Sequence, residues 1–284
     1  MVALRFASTV LVASALALLP TGAQSRPLAA DKASLFAQAS AEKLNRDFAG
    51  AEISYLLLDV DSVRVIAARW KDADAPIPMG SLVKPFTALA YGEQNGLKFP
   101  QYVCRGSASG CWLPKGHGRT GVVSALAQSC NSYFQTLAST LSVEQVSATA
   151  ARFGLEPPPQ SATSEAFVGM GSQWLNAPLK MANAYLELHR RRSEPGVSLV
   201  VAGLAESGRR GTGAWVDREL IYSDALVKTG TAPCTHPKRA PGDGLAVALA
   251  PADHPKVLLL VRVHGIPGAQ AAKVAGNMLR VLEE

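Results

Sequence analysis

Strand-like runs stand at both ends of the chain, and helical stretches fill the space between them. Residues 53–60 and 63–70 read as two strands joined by a turn at Asp61-Ser62. Far downstream, 225–231, 245–250 and 257–264 read as three more. A sheet must bury its apolar face on another layer, so this order fits one sheet built from both ends of the chain and packed on helices. The expected class is mixed α+β. An antiparallel sheet is flanked by helices, and a helical subdomain over roughly 85–215 is inserted into the sheet-containing part of a domain covering 24–284.

The helical pattern is explicit in several places. Residues 31–48 carry it with Asp31 as N-cap and Leu35, Ala39 and Leu44 facing inward. Residues 81–91, 122–141 with continuation to 153, 178–189 and 268–282 carry it too. Residues 99–120, rich in Gly, Ser and Pro, read as loop, and 157–160 as a stop. With 48% hydrophobic and 18% charged residues in 284, the chain is not disordered, and it can bury a core without staples.

Residues 1–23 read as an export signal or an N-terminal anchor. Arg5 opens it, 7–19 are apolar, and Pro20-Thr21-Gly22-Ala23 form a small-residue exit. The first cysteine is Cys104, so no lipid-modified N-terminal cysteine follows the signal. The domain is therefore expected outside the cytoplasmic membrane, periplasmic or tethered there. The formal charge of +6 suits an anionic envelope polymer, and export argues against nucleic acid. Arg190-Arg191-Arg192 reads as a solvated turn.

Four cysteines in an exported chain invite bridges. Cys104 and Cys111 enclose a flexible loop that a local disulfide would close. Cys130 and Cys234 are left open between pairing and staying free. A zinc reading of Cys104, Cys111 and His117 has poor spacing. His117, between glycines, is expected to shape a loop. His189, His236, His254 and His264 read as surface or packing residues, and the four tryptophans as core or cleft wall.

Chemistry concentrates in three places. In Val227-Lys228-Thr229-Gly230-Thr231, a strand puts Thr229 and Thr231 on one face, where two hydroxyls can hold a carboxylate. Gly230 between them admits another backbone, and Lys228 adds charge. Ser-x-x-Lys occurs twice, at Ser40 to Lys43 and at Ser81 to Lys84. Ser40 lies in an amphipathic surface-type helix. Ser81 precedes Pro85, and proline is tolerated only in a first helical turn. The helix should thus begin near Gly80 or Ser81. That leaves the Ser81 amide at the positive end of the dipole, free to serve an oxyanion. The third place, Ser129-Cys130-Asn131, reads as part of a helix, with Cys130 buried and not nucleophilic.

In this order, Ser81-x-x-Lys84, Ser129-x-Asn131 and Lys228-Thr229-Gly230 resemble the motifs of the penicillin-binding protein transpeptidase domains, most closely the class B type. The resemblance runs over 53–282 and takes in Lys115-Gly116-His117-Gly118, Gly169-Met170-Gly171 and Gly211-Thr212-Gly213. It implies a β-lactamase/transpeptidase-like fold without cofactor or metal. It also implies a stand-alone minimal form, with no room for pedestal modules. By the resemblance, Ser81 attacks the carbonyl after D-alanine in a peptidoglycan stem peptide and Lys84 is the base. Ser129, helped by Lys228, relays a proton to the leaving amine. Asn131 holds the substrate amide, while Thr229 and Thr231 bind the terminal carboxylate. Gly230 lies between these threonines, and the N–H groups of Ser81 and Thr231 form the oxyanion hole. β-Lactam antibiotics are implied ligands, and an envelope protein an implied partner. The alternatives are a D,D-carboxypeptidase, a β-lactamase or a non-catalytic β-lactam-binding protein. Against the β-lactamase, Ser172 stands where a class A enzyme has its glutamate, and Ser129-x-Asn131 is not the class D pattern.

Overall fold

A computed structural model describes residues 28–235 and 238–284. The export segment expected at 1–23 lies outside the described residues. The chain begins with α1 (Leu28–Asp47), β1 (Ile53–Asp59), β2 (Val65–Arg69) and β3 (Ile77–Pro78). A 3-10 turn at Gly80–Val83 leads into α2 (Lys84–Gln94). Then come β4 (Tyr102–Cys104), β5 (Gly118–Thr120), α3 (Val122–Ala127), α4 (Asn131–Ala138), α5 (Val143–Arg152) and α6 (Ser164–Val168). β6 (Leu175–Asn176), α7 (Pro178–Arg190), α8 (Pro195–Arg210) and α9 (Ala214–Glu219) follow. β7 (Leu226–Ala232), β8 (Asp243–Ala250), β9 (Val257–His264) and α10 (Gly268–Glu283) close the chain.

The main sheet runs β2-β1-β9-β8-β7, antiparallel throughout. It joins both ends of the chain, and α2 to α8 lie between β2 and β7 in sequence. The alternation of the strands sorts their residues into two cores. On β8, Leu245, Val247 and Leu249 face the larger core with Phe86, Phe134 and Tyr185 from the helical middle. Ala246, Ala248 and Ala250 face the second core, with Met278 and Leu279 of α10, Leu44 of α1 and Val216 of α9. The sheet is thus the central layer of three. Each fully buried leucine contributes about 1.5–3 kcal/mol, so the two-sided burial of β8 and β9 anchors the fold.

Three expectations need correction. The stretch 122–141 is two helices, because Gln128, Ser129 and Cys130 form a turn in which Ser129 has φ +50°. Helix α1 begins at Leu28, so Asp31 is inside it and does not cap it. Its inward face holds Ser40 and Leu44, four residues apart, while Leu35 is 65% exposed. The third correction concerns 99–120, where β4 and β5 pair into a short ribbon within what reads as loop. Helices α8 and α9 carry no sequence expectation. Proline opens α8, and Arg209 and Arg210 complement its C-terminal dipole.

Candidate active site

Ser81 sits in the 3-10 turn, directly before α2 with Pro85 in its first turn, as Pro85 predicts. Gly80 has φ +54°, a conformation that L side chains rarely adopt. A Cβ on Gly80 would stand 2.6 Å from the Thr231 carbonyl oxygen. A Cβ on Gly230 would stand 3.2 Å from the Ser81 nitrogen. The Ser81 turn and the edge strand β7 therefore meet backbone to backbone. Tyr185 supports the turn from below, its buried hydroxyl donating to the Leu82 carbonyl at 2.9 Å.

Two lysines are fully buried beside this contact. Lys84 Nζ donates to Ser129 O at 2.9 Å and to Asn131 Oδ1 at 2.6 Å, and lies 3.3 Å from Ser129 Oγ. Lys228 Nζ lies 3.0 Å from Ser129 Oγ and donates to Thr229 O at 2.7 Å. Among the ion pairs of the described residues, neither lysine has a carboxylate partner. Burial disfavours the charged amine, and it brings Lys84 down to about 7. Burial, with the Lys84 charge added, takes Lys228 well below its ordinary value. The Ser129 hydroxyl thus bridges two amines that both resist protonation. That is the arrangement a proton relay needs.

The turn before α4 supplies this hydroxyl. Trp112 Nε1 donates to Ser129 O at 3.1 Å, so that carbonyl has two tertiary donors and is not spent on a helix. Cys130 is the N-cap residue of α4 and Asn131 its first residue.

Ser81, Ser129, Asn131, Thr229, Gly230 and Thr231 all line one cleft of about 520 Å³. Thr229 Oγ1 donates to Thr212 Oγ1 at 2.6 Å. Thr231 Oγ1 accepts from Gly268 N at 3.0 Å, which leaves its own proton free for an anion. Trp112, one of the tryptophans expected in core or cleft wall, lines the cleft, as do Met170 and Thr212, to which the sequence reading assigns no role. The glycines around Thr212 and Met170 are the only signal that marks them. Ser40, the other Ser-x-x-Lys serine, is buried in α1 and is not a cleft residue.

Cys104 and Cys111 are not bridged. Both are free, and His117 Nδ1 lies 3.5 Å from each sulfur. The ring stands against the two thiols that the expected disulfide would join.

The family model for the penicillin binding protein transpeptidase domain matches residues 64–282. The chain belongs to this family. No curated protein sequence matches it. Solved transpeptidases share the fold. Pseudomonas aeruginosa PBP2, in complex with WCK 5153, gives a TM-score of 0.69 at 18% identity, over 88% of this chain and 73% of that one. Helicobacter pylori PBP2, in complex with MreC, gives 0.70 at 17%, over 87% and 62%. The apo transpeptidase domain of Burkholderia pseudomallei penicillin-binding protein 3 gives 0.67 at 16%, over 89% and 92%. Identities this low establish the fold. The mixed helical and antiparallel architecture expected from the sequence is that of the penicillin-binding transpeptidase domains.

Proposed function

We propose that this transpeptidase domain is a serine D,D-acyltransferase acting on D-alanyl-D-alanine stem peptides of peptidoglycan. The observation that carries the reading is the Ser129 hydroxyl held between two buried lysines on the cleft that Ser81 lines. Ser81 Oγ attacks the penultimate D-alanine carbonyl. Its proton passes to Lys84, which burial brings down to about 7, so that about half of it is neutral at pH 7 and most of it above. Negative charge on the carbonyl oxygen is met by the N–H groups of Ser81 and Thr231. Collapse of the intermediate breaks the peptide bond. The leaving amine takes its proton through Ser129 Oγ, which Lys228 holds in line. Thr229 and Thr231 bind the terminal carboxylate, and Asn131 positions the substrate amide. An incoming amine, or water, then takes the acyl group from Ser81.

A β-lactam, whose ring mimics the D-alanyl-D-alanine end, would stop at the acyl-enzyme. P. aeruginosa PBP2 was solved in complex with WCK 5153, and this relative supports a small-molecule ligand for the domain. H. pylori PBP2 was solved with MreC, which supports an envelope protein as partner. We place the domain outside the cytoplasmic membrane, because its substrate is there. Among the described residues no helix is long and apolar enough to cross a membrane.

Labelling with fluorescent penicillin and mapping of the adduct test the reading. The adduct is expected on Ser81. Ser81→Ala should abolish labelling, and Ser40→Ala should leave it intact. Covalent labelling of the Ser81→Ala protein would overturn the assignment.

A further inference from the structure

Beside the cleft, the thiols of Cys104, Cys111 and Cys130 converge on the imidazole of His117. Their ligand atoms all lie within 4.8 Å of one another. Cys111 Sγ is 3.8 Å from Cys130 Sγ, and His117 Nδ1 is 3.5 Å from both Cys104 Sγ and Cys111 Sγ. A disulfide requires about 2.05 Å, so these contacts are not bridges. These three distances match edges of a tetrahedron, and the other three are bounded at 4.8 Å. With zinc–sulfur bonds of about 2.3 Å and zinc–nitrogen bonds of about 2.0–2.1 Å, its edges are about 3.8 Å between sulfurs and about 3.6 Å from sulfur to nitrogen.

We propose that Cys104, Cys111, His117 and Cys130 form a closed zinc site that clamps the turn carrying Ser129. Three thiolates and one imidazole are a donor set for Zn²⁺, and the fourfold shell leaves no position for water or substrate. Each thiol gives up its proton as the metal binds. All three cysteines are buried. The Ser132 hydroxyl lies 3.3 Å from Cys104 Sγ, and Ser109 Oγ donates to Ser132 Oγ at 3.2 Å. Hydroxyls oriented on a sulfur are the outer contacts that steady a thiolate. The Trp112 ring, 5.5 Å from that of His117, stands on the cleft wall beside the metal.

The site does not resemble a zinc knuckle in sequence because its ligands come from separate pieces of chain. Cys104 ends β4, Cys111 and His117 lie in the loop before β5, and Cys130 precedes α4. Only the folded ribbon brings them together. Cys130 is also the central residue of Ser129-Cys130-Asn131. A metal bond to it would fix from behind a turn whose Ser129 has φ +50°. The metal would touch no substrate. Its role would be positioning, and this part of the inference rests on Ser129 serving as the relay proposed above.

The test uses protein purified with reductant and without chelator. Elemental analysis should find one zinc per chain. Cobalt titrated into the stripped protein should give the thiolate charge-transfer band and the intense visible bands of tetrahedral Co²⁺. Cys111→Ser should lose the metal, and Cys234→Ser should keep it. Should Cys111→Ser fail to fold, the cobalt spectrum of the wild type decides. Stripping zinc should slow penicillin labelling about 10–100-fold, and zinc should restore it. Reduced protein that takes up neither zinc nor cobalt would overturn the site, as would loss of metal from Cys234→Ser. A Cys104–Cys111 bridge, two hydrogens lighter by mass, would also overturn it. Equal labelling with and without zinc would overturn the clamp. A protein that binds zinc but never labels would instead refute the catalytic reading and leave the metal site standing.

Discussion

Replacing Gly80 by alanine tests whether the backbone contact between the Ser81 turn and β7 shapes the reaction. The change adds one methyl group, in a position with φ +54°. The left-handed conformation alone costs an alanine about 1–2 kcal/mol. The new Cβ would lie 2.6 Å from Thr231 O and 2.9 Å from Thr231 C, where contacts under 3.0 Å are essentially never seen. Both atoms are backbone, so the turn or the strand must retreat by roughly half an ångström, at about 1–3 kcal/mol of overpacking. The sum is about 2–5 kcal/mol, a fall in Tm of roughly 5–20 °C for a chain of this size. The same retreat moves the Ser81 and Thr231 amides apart, and displacements of this order cost about 10–100-fold in rate. Gly154→Ala is the control. Its φ is +74°, with nothing within 4 Å of the new Cβ, so it should lose about 1–2 kcal/mol and acylate normally. Calorimetry gives the stabilities, and stopped-flow acylation by a chromogenic β-lactam gives the rates. A folded Gly80→Ala protein that acylates within about threefold of wild type would refute the oxyanion geometry built on these two amides.

Further outcomes follow from the buried titrating groups. A base must be neutral to accept a proton, and burial sets Lys84 at about 7. The acylation rate should rise with pH through that value and level off above it. A rate flat from pH 5 to 9 would remove Lys84 from the role. Asp217, half-buried and near Asp224, is raised to about 6, burial being the main cause. Its folded carboxyl holds a proton more tightly than the unfolded one, so its contribution is complete below the unfolded value of 3.8 and is lost as pH rises through about 6. Asp217→Asn keeps an oxygen for the Ala225 N–H that Asp217 accepts at 2.9 Å. It should therefore be more stable than wild type at pH 7–8, by about 1–2 kcal/mol after discounting for solvent, and equal to it below about pH 4. Thermal melts across pH decide this. A variant less stable at every pH would refute it.

The strands were legible in the sequence because each is an apolar run that can be recognised on its own, whereas their register is added by the fold. Residues 53–60 and 257–264 pair directly, from Ile53 with Val263 to Asp59 with Val257. Ser81 was legible through Pro85, a local restriction on where a helix begins. The turn at Ser129 was not. Residues 122–141 contain no glycine or proline, and local propensity favours an unbroken helix. The break is made by tertiary donors, when Lys84 and Trp112 both take the Ser129 carbonyl. The same holds for α1, where the choice between Ala39 and Ser40 as the inward residue depends on what the helix packs against. The link between Cys130 and three residues of the preceding ribbon likewise exists only after β4 and β5 pair. Signals confined to one element are readable, and signals created by the meeting of two elements are not.

That distinction also explains how the site is kept in register. Its parts come from two layers, the Ser81 and Ser129 turns from the helical middle and Lys228 to Thr231 from the edge of the sheet. A cleft between layers would ordinarily loosen as they slide. Here the contacts leave almost no room between backbones. A Cβ at Gly230 would press on Met79 O at 3.0 Å, and one at Gly268 on Gly230 O at 2.3 Å. The first turn of α10 therefore backs β7, and β7 backs the Ser81 turn, with no flexible side chain in the stack. Such a stack sets the amides before substrate arrives, so the site need not reorganise as charge develops on the oxyanion. Lys228 then crosses the gap between layers and reaches Ser129 Oγ. Its burial costs stability that a methionine of similar length would not. On the proposed mechanism, two buried amines without a carboxylate partner among the described residues are stability given up for a proton path.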